Sequence, residues 1–408
     1  MVVLYFLVRR KIGLGLVLGI CSALAAILFS LPVADFFVAV YKAIIGNTTV
    51  TLLMMVYFIL VLSHSMKEAK ALDELVGAVR RVIADNRATI GFLPGLIGLL
   101  PMPGGALFSA PMIVGPADEA SLSAESRTFL NYWFRHVWEY SWPLYPGLLL
   151  CVAVLEIDLM DLTLYQFPLC VAAIGAGWLF GLMQVPKIQG GNISRAEFWV
   201  ETKRFLHGFW PVMLIILSVI IVPAILKLFG IDIFAGELES IDLLLVSLPV
   251  SIILFAITRL KLDVFFRCVR MGLNVKLLGT ILSVLIFKDV IQVSGAVDEL
   301  PAVFQQWHVP EEVLFIVLPM LVGYLTGITH SFVSVAFPLL IPFFGDPVDL
   351  QKVQMAYAFG FIGVLLSPVH LCLVLSVEYY KSEIAPVLKM LLLPSAVIAA
   401  VSIIVYLL

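Results

Sequence analysis

Apolar runs of helical length recur along the whole chain, separated by short polar punctuation. A helix needs roughly 20 apolar residues to cross a bilayer core of about 30 Å. Runs of that size stand at 13–33, 49–65, 127–157, 162–185, 207–228, 241–258, 274–293, 355–378 and 384–408. Two further apolar stretches are interrupted midway. The stretch 89–115 breaks at Pro101-Met102-Pro103-Gly104-Gly105, and 313–345 breaks around Thr326-Gly327-Ile328-Thr329-His330. Each arm holds roughly 12–14 residues, or about 20 Å of helix, too short to cross. The pattern predicts an all-α polytopic membrane protein with about nine spans and two re-entrant hairpins. Segment 66–88 is charged and amphipathic, which predicts a helix lying in the interface.

Composition sharpens this reading. Hydrophobic residues make up 62% of the 408 and charged residues 13%, with a mean hydropathy of +1.09. That excludes a soluble enzyme, a disordered chain and a nucleic-acid binder, and a net charge of −3 argues against a polyanionic partner. The lipid bilayer is the surrounding partner. The five cysteines, Cys21, Cys151, Cys170, Cys268 and Cys372, are scattered without a CxxC pair and read as small core or lipid-facing residues. Arg9, Arg10 and Lys11 precede the first apolar run without a following cleavage site, so that run reads as a retained helix. With both hairpins dipping in and returning, and the N-terminus inside, 18 basic residues fall inside and 3 (Lys42, Lys227, Lys352) outside. If the first hairpin were a single span instead, Lys187, Arg195, Lys203 and Arg204 would move outside. The predicted topology is a cytoplasmic N-terminus and an outside C-terminus.

The chain also matches itself at an offset of 225 over about 97 residues. Ala71, Asp73, Glu74 and Leu75 match Ala296, Asp298, Glu299 and Leu300, and Leu93-Pro94, Leu96, Gly98 and Leu100 match Leu318-Pro319, Leu321, Gly323 and Leu325. Ser109 matches Ser334, and Tyr132, Phe134 and Pro143 match Tyr357, Phe359 and Pro368. An odd number of spans between equivalent positions inverts the second copy. The division is 1–186 as first repeat, 187–240 as linker with an extra span, and 241–408 as second repeat. Inverted repeats with broken helices at corresponding positions are the signature of secondary transporters.

The breaks locate a candidate substrate site. A hairpin tip brings helix ends together at membrane depth, where the second arm's free N–H groups favour anions. Pro103, Gly104, Gly105 and Ser109 form the first tip; Thr326, Gly327, Thr329, His330, Ser331 and Ser334 form the second. Ser331 and Ser334 share one helical face. The run 127–157 carries Arg135, His136 and Glu139 upstream of Trp142-Pro143-Leu144-Tyr145-Pro146-Gly147, which should break that helix. Its partner break is Leu366-Ser367-Pro368-Val369-His370. Intramembrane charges are costly and point to function. Arg135 and Glu139, at i,i+4, can pair with each other; alternatively Arg135 binds an anion, or Glu139, His136 or His370 carries a coupling ion. The second copy has Gly360, Phe361 and Val364 in place of Arg135, His136 and Glu139, so charge concentrates in the first half. Lys288 reads as snorkelling.

The run Leu100 to Pro111 (LPMPGGALFSAP), followed by Asn131 to Tyr140 (NYWFRHVWEY) and Pro143-Leu-Tyr-Pro-Gly147, resembles a prokaryotic membrane family catalogued as domain of unknown function 401. That family is grouped with the ion transporter superfamily of gluconate permeases, citrate and dicarboxylate carriers and some sodium/proton antiporters. The resemblance covers nearly the whole chain. It implies an inner-membrane homodimer whose moving domain carries both hairpins in an elevator motion. The Ser-Asn-Thr motifs of the dicarboxylate carriers are absent from both tips. The expected function is secondary active transport of a small polar, anionic organic solute, coupled to H+ or Na+ and without a cofactor. A cation/proton antiporter that keeps Arg135 paired is the alternative. A distant third is an intramembrane metalloenzyme built on His136, Glu139, His330 and His370, but no H-E-x-x-H motif supports one.

Overall fold

A computed structural model of the protein describes residues 13–83, 85–102, 104–188, 194–221, 225, 229, 240–295 and 300–408. Pro103, the Arg9-Arg10-Lys11 cluster and the matched Ala296, Asp298 and Glu299 lie outside the described residues, as does much of the 187–240 linker. The described residues hold helices and no strand. Five helical stretches among them are long and apolar enough to cross a bilayer: Asn47–Glu68, Leu159–Gln184, Ile241–Arg259, Leu262–Val293 and Ile384–Leu407. The chain therefore reads as a membrane protein.

The first half begins with α1 (Leu14–Leu28), α2 (Val33–Ile45), α3 (Asn47–Glu68) and α4 (Ala71–Val82). The expected span at 13–33 is shorter than predicted, and α2 was not predicted at all. Ser30 takes a positive φ and Pro32 caps the new helix, so the apolar run is cut into two. Next comes the first hairpin, with α5 (Asn86–Gly98) as one arm and α6 (Gly105–Ser109), a 3-10 turn and α7 (Val114–Glu119) as the other. Then follow α8 (Ala124–His136), α9 (Pro146–Leu155) and α10 (Leu159–Phe180). The long α11 (Arg195–Ile216) opens on a capping box between Ser194 and Glu197.

The second half runs α12 (Ser240–Arg259), α13 (Leu262–Gly272), α14 (Val275–Val293), α15 (Leu300–Gln306), α16 (Glu311–Thr326), α17 (Thr329–Phe344), α18 (Leu350–Leu365), α19 (Leu371–Tyr380) and α20 (Ile384–Leu407). Side-chain caps fix several starts: Asp85 accepts from Arg87 N, Asp158 from Met160 N and Asp349 from Gln351 N. The helix α13 falls between the predicted spans 241–258 and 274–293, where the apolar pattern predicts no element. It places its arginines between apolar positions at helical spacing, and such amphipathic segments escape a search for uniformly apolar runs.

Both predicted helix breaks are present. The run 127–157 is α8, an irregular turn over 137–145, and α9; the run 355–378 is α18, a turn over 366–370, and α19. Glu139 therefore lies in the turn rather than on the helix as expected, because α8 gives way to tighter turns after His136. The amphipathic α4 buries Leu72, Leu75, Val76 and Val79 against α11, so protein covers its apolar face where the sequence suggested lipid. Charges gather at one end of these helices: Arg81 with Glu201 at 2.6 Å, Arg259 with Glu74 at 2.7 Å and Arg267 with Glu68 at 3.2 Å. Lys288, read as snorkelling, is instead buried and bonds Glu156 at 2.6 Å.

Candidate functional site

The two hairpin tips and the two broken helices meet. In the first hairpin, α5 packs on α8 so closely that a Cβ at Gly98 would overlap the Arg135 carbonyl oxygen. The chain then turns at Gly104, whose φ of +70° favours glycine. A Cβ at Gly105 would lie 2.7 Å from Arg135 Nε, so the missing side chain lets the tip backbone sit against the guanidinium. In the second hairpin Gly327, with φ of +62°, brings the tip backbone against His370.

Arg135, His136 and Glu139 are all buried. Arg135 Nη1 bonds Glu139 Oε1 at 3.1 Å and the Tyr145 hydroxyl at 2.9 Å; Nη2 donates to the Met102 carbonyl at 3.3 Å. Tyr145 donates in turn to the Gly98 carbonyl. The buried Arg135 Nε has no hydrogen-bond partner. Glu139 Oε2 accepts from the Thr329 hydroxyl at 3.0 Å, and Tyr357 donates to the Glu139 carbonyl at 3.1 Å. One carboxylate thus ties the first half's broken helix to the first residue of α17, where a helix N-terminus favours negative charge.

Behind this pair lie two imidazoles. His136 Nδ1 is 2.5 Å from the Tyr132 carbonyl, and His370 Nδ1 is 2.6 Å from the Gly327 carbonyl. The two Nε2 atoms face each other at 3.1 Å. Cys372 stands next to them, with ligand atoms of all three residues within 4.8 Å of one another.

The predicted site residues fall into two groups. Gly105, Arg135, His136, Glu139, Gly327, Thr329 and His370 come together in the cluster, and Gly104 shapes its edge. The others stand apart from these contacts. Ser109 is buried and donates to Asn131 Oδ1 at 2.6 Å, within a small network that Asn131 extends to Ser376. Thr326 bonds the Val322 carbonyl of its own helix at 2.8 Å, and Ser334 bonds the His330 carbonyl. Ser331 is buried without a hydrogen-bond partner, and His330 is half-buried at the start of α17. Ser367 clamps its break to the second hairpin by donating to the Tyr324 carbonyl at 2.6 Å.

Sequence reasoning missed Tyr145, Asn131, Tyr357 and Cys372 as members of this polar region. Tyr145 lay within a run read only as a helix breaker. Cys372 reads as packing, since a lone cysteine in an apolar run carries no signal. The 225-residue offset aligns Tyr145 with His370 and Gly147 with Cys372, directly after each break, and could have singled them out.

No curated protein matches the chain. A family model described as "Protein of unknown function (DUF401)" matches residues 1–408. A chain with this polar cluster at the meeting of two broken helices therefore belongs, over its whole length, to the DUF401 family.

Proposed function

We propose that the protein is a secondary active transporter for a small polar organic anion, coupled to H+ or Na+, working by alternating access of two inverted repeats. The observation that carries the anion assignment is Arg135. It is buried where both tips meet both broken helices, and its Nε remains without a partner beside the first tip. A buried donor without an acceptor is costly, and an anion docking on that edge would satisfy it.

Support for the repeat comes from the element order. At an offset of 225, Pro146–Leu155 corresponds to Leu371–Tyr380, and the left-handed Glu156 (φ 56°) to Lys381 (φ 55°). Contacts recur in the same register. Gly98 approaches the Arg135 carbonyl as Gly323 approaches that of Gly360. Trp142 donates to the Leu99 carbonyl at 2.9 Å as Ser367 donates to that of Tyr324 at 2.6 Å. Helix partners exchange between the halves: α1 packs on α14 and α12 on α3, while α9 packs on α17 and α19 on α6. Such exchange is expected of two copies related by a two-fold axis, and an odd number of intervening spans inverts them. In this reading Arg135, Gly105 and Thr329 bind substrate, and Glu139, His136 and His370 hold the coupling ion. The scheme extends to an elevator-type dimer in the prokaryotic inner membrane with its N-terminus inside. The ion-paired end carrying Arg81, Arg259 and Arg267 is then cytoplasmic, in line with the positive-inside rule.

The test is a solid-supported-membrane current on proteoliposomes. The panel comprises sugar acids, mono- and dicarboxylates, phosphonates, sulfonates and Na+, each at two pH values. A current evoked by one anion and lost in Arg135→Ala is the expected result. A second reading, cation/proton antiport, draws on the Arg135–Glu139 pair at 3.1 Å, which leaves the arginine as a counter-ion. Responses to Na+ or pH jumps alone, with silence for every anion, would select it.

A further inference from the structure

We propose that His136, His370 and Cys372 form a binding site for one soft monovalent transition-metal ion, Cu(I). The argument begins with the imidazole protons. A backbone carbonyl can only accept, so the contacts of His136 Nδ1 with Tyr132 O and of His370 Nδ1 with Gly327 O put a proton on each Nδ1. Both neutral rings then present a bare lone pair at Nε2, and these face each other at 3.1 Å. Two lone pairs at that distance repel unless a cation lies between them. Commitment of the second ring nitrogen to a backbone carbonyl is also how metal-ligating histidines are held in orientation.

Cys372 supplies a third donor. It is buried at the start of α19, two residues after His370. The three ligand atoms lie within 4.8 Å of one another. An ion about 2.0–2.1 Å from each nitrogen sees the two Nε2 atoms at an angle of about 100°. Cys372, in the same group of ligand atoms, is the residue placed to supply the third bond.

Charge selects the valence. The neighbouring charged groups are Arg135 and Glu139, which already balance each other; Glu139 Oε1 is 3.8 Å from His136 Nε2. Binding forms two metal–nitrogen bonds and one metal–sulfur bond, and the thiol proton leaves to solvent. A monovalent ion replacing that proton adds no net charge to the buried cluster. A divalent ion would add one positive charge beside the Arg135 guanidinium, and uncompensated buried charge is strongly disfavoured. Imidazole and thiolate donors are those that suit Cu(I).

The ligands come from both halves, His136 from the end of α8 and His370 and Cys372 from the start of α19. A bound ion would therefore join the two broken helices. The inference does not depend on transport, and its test is direct binding. Full-length protein in detergent is titrated anaerobically with Cu(I) against a colorimetric Cu(I) chelator, with Ag(I) as a redox-inert second probe. We expect one ion per chain, an affinity at least 100-fold weaker in Cys372→Ser, and full retention when the other four cysteines are replaced by serine. X-ray absorption of the wild-type complex, which depends on no variant, should resolve one sulfur and two nitrogen neighbours. Failure to retain Cu(I), unchanged binding in Cys372→Ser, or a shell with two sulfurs overturns the site. Tight Zn(II) binding with exclusion of Cu(I) overturns the assignment to a monovalent ion.

Discussion

Alanine at Gly98 and at Gly323 should be among the most damaging single-methyl additions in this protein. At Gly98 the new Cβ would overlap the Arg135 carbonyl oxygen and lie 3.1 Å from its carbon; at Gly323 it would overlap the Gly360 carbonyl oxygen and lie 3.1 Å from Val364 N. The obstacle is helix backbone on both occasions, which cannot rotate away as a side chain can. Overpacking of this kind costs about 1–3 kcal/mol. Gly19 and Gly279 provide the control. Both lie within helices and are exposed, and a Cβ at either meets nothing within 4 Å. There alanine should stabilise by about 0.5–1 kcal/mol, since glycine is the poorer helix former. Unfolding entropy of about 2 cal/mol/K per residue makes 1 kcal/mol worth about 1 °C in a chain of 408 residues. The Gly98→Ala and Gly19→Ala midpoints should therefore differ by about 2–4 °C. A thiol-reactive fluorophore reads the transition, because Cys151, Cys170, Cys268 and Cys372 are buried until the chain unfolds. Equal midpoints for the two variants would refute the close helix approach on which the position of Arg135 depends.

Further outcomes follow from the same geometry. Arg135→Ala should abolish anion-evoked current while the protein still elutes as a folded species; near wild-type uptake removes Arg135 from the site. Glu139→Gln should flatten the pH dependence of transport, and an unchanged profile leaves Glu139 as a structural partner of Arg135. Thr329→Val deletes the hydroxyl that Glu139 Oε2 accepts from, and should cost about 1–3 kcal/mol by leaving a buried acceptor unpaired; thermal unfolding measures it. Single cysteines at Lys70 and Lys187 should react with an impermeant maleimide from one side of the membrane and those at Lys42 and Lys352 from the other. Labelling of all four from one side sinks the topology.

The breaks were legible in the sequence because proline and glycine act locally. Pro101 to Gly105 and Thr326 to His330 interrupt apolar runs whatever surrounds them, and the described residues there are non-helical or at helix ends. The Arg135–Glu139 pair was legible because i,i+4 spacing needs only one turn of chain, and it forms even though Glu139 leaves the helix. What stayed hidden depends on tertiary contact. Nothing near Lys288 in sequence announces Glu156, 132 residues away. Nothing near Cys372 announces His136. Segments α2 and α13 were missed because a span-length window averages their polar faces away. The hydroxyls of Thr326 and Ser334 looked like ligand groups but bond carbonyls of their own helices, a choice that hydroxyl-bearing residues in helices often make.

The proposed cycle has an electrostatic condition that the cluster itself sets. Arg135 and Glu139 hold each other at 3.1 Å with side chains only 3% and 8% exposed, so the resting cluster is nearly neutral. An anion entering at Arg135 Nε would leave one uncompensated negative charge in a medium where charge is expensive. The least costly remedy is to bring one positive charge per negative charge of substrate. Glu139 can accept that charge as a proton, which frees Arg135 to pair with the anion alone, or the facing imidazoles can take it at Nε2 while no metal ion bridges them. Either route couples the carrier to a cation without further binding residues. The partners of Glu139 also make the coupling span both halves, since Thr329 and Tyr357 belong to the second. A site whose charges come from one half and whose hydroxyl and imidazole donors come largely from the other is complete only when the two halves are together. On this reading the duplicated frame supplies the symmetry that movement needs, and the divergence of Arg135 from Gly360 and of Glu139 from Val364 supplies the chemistry.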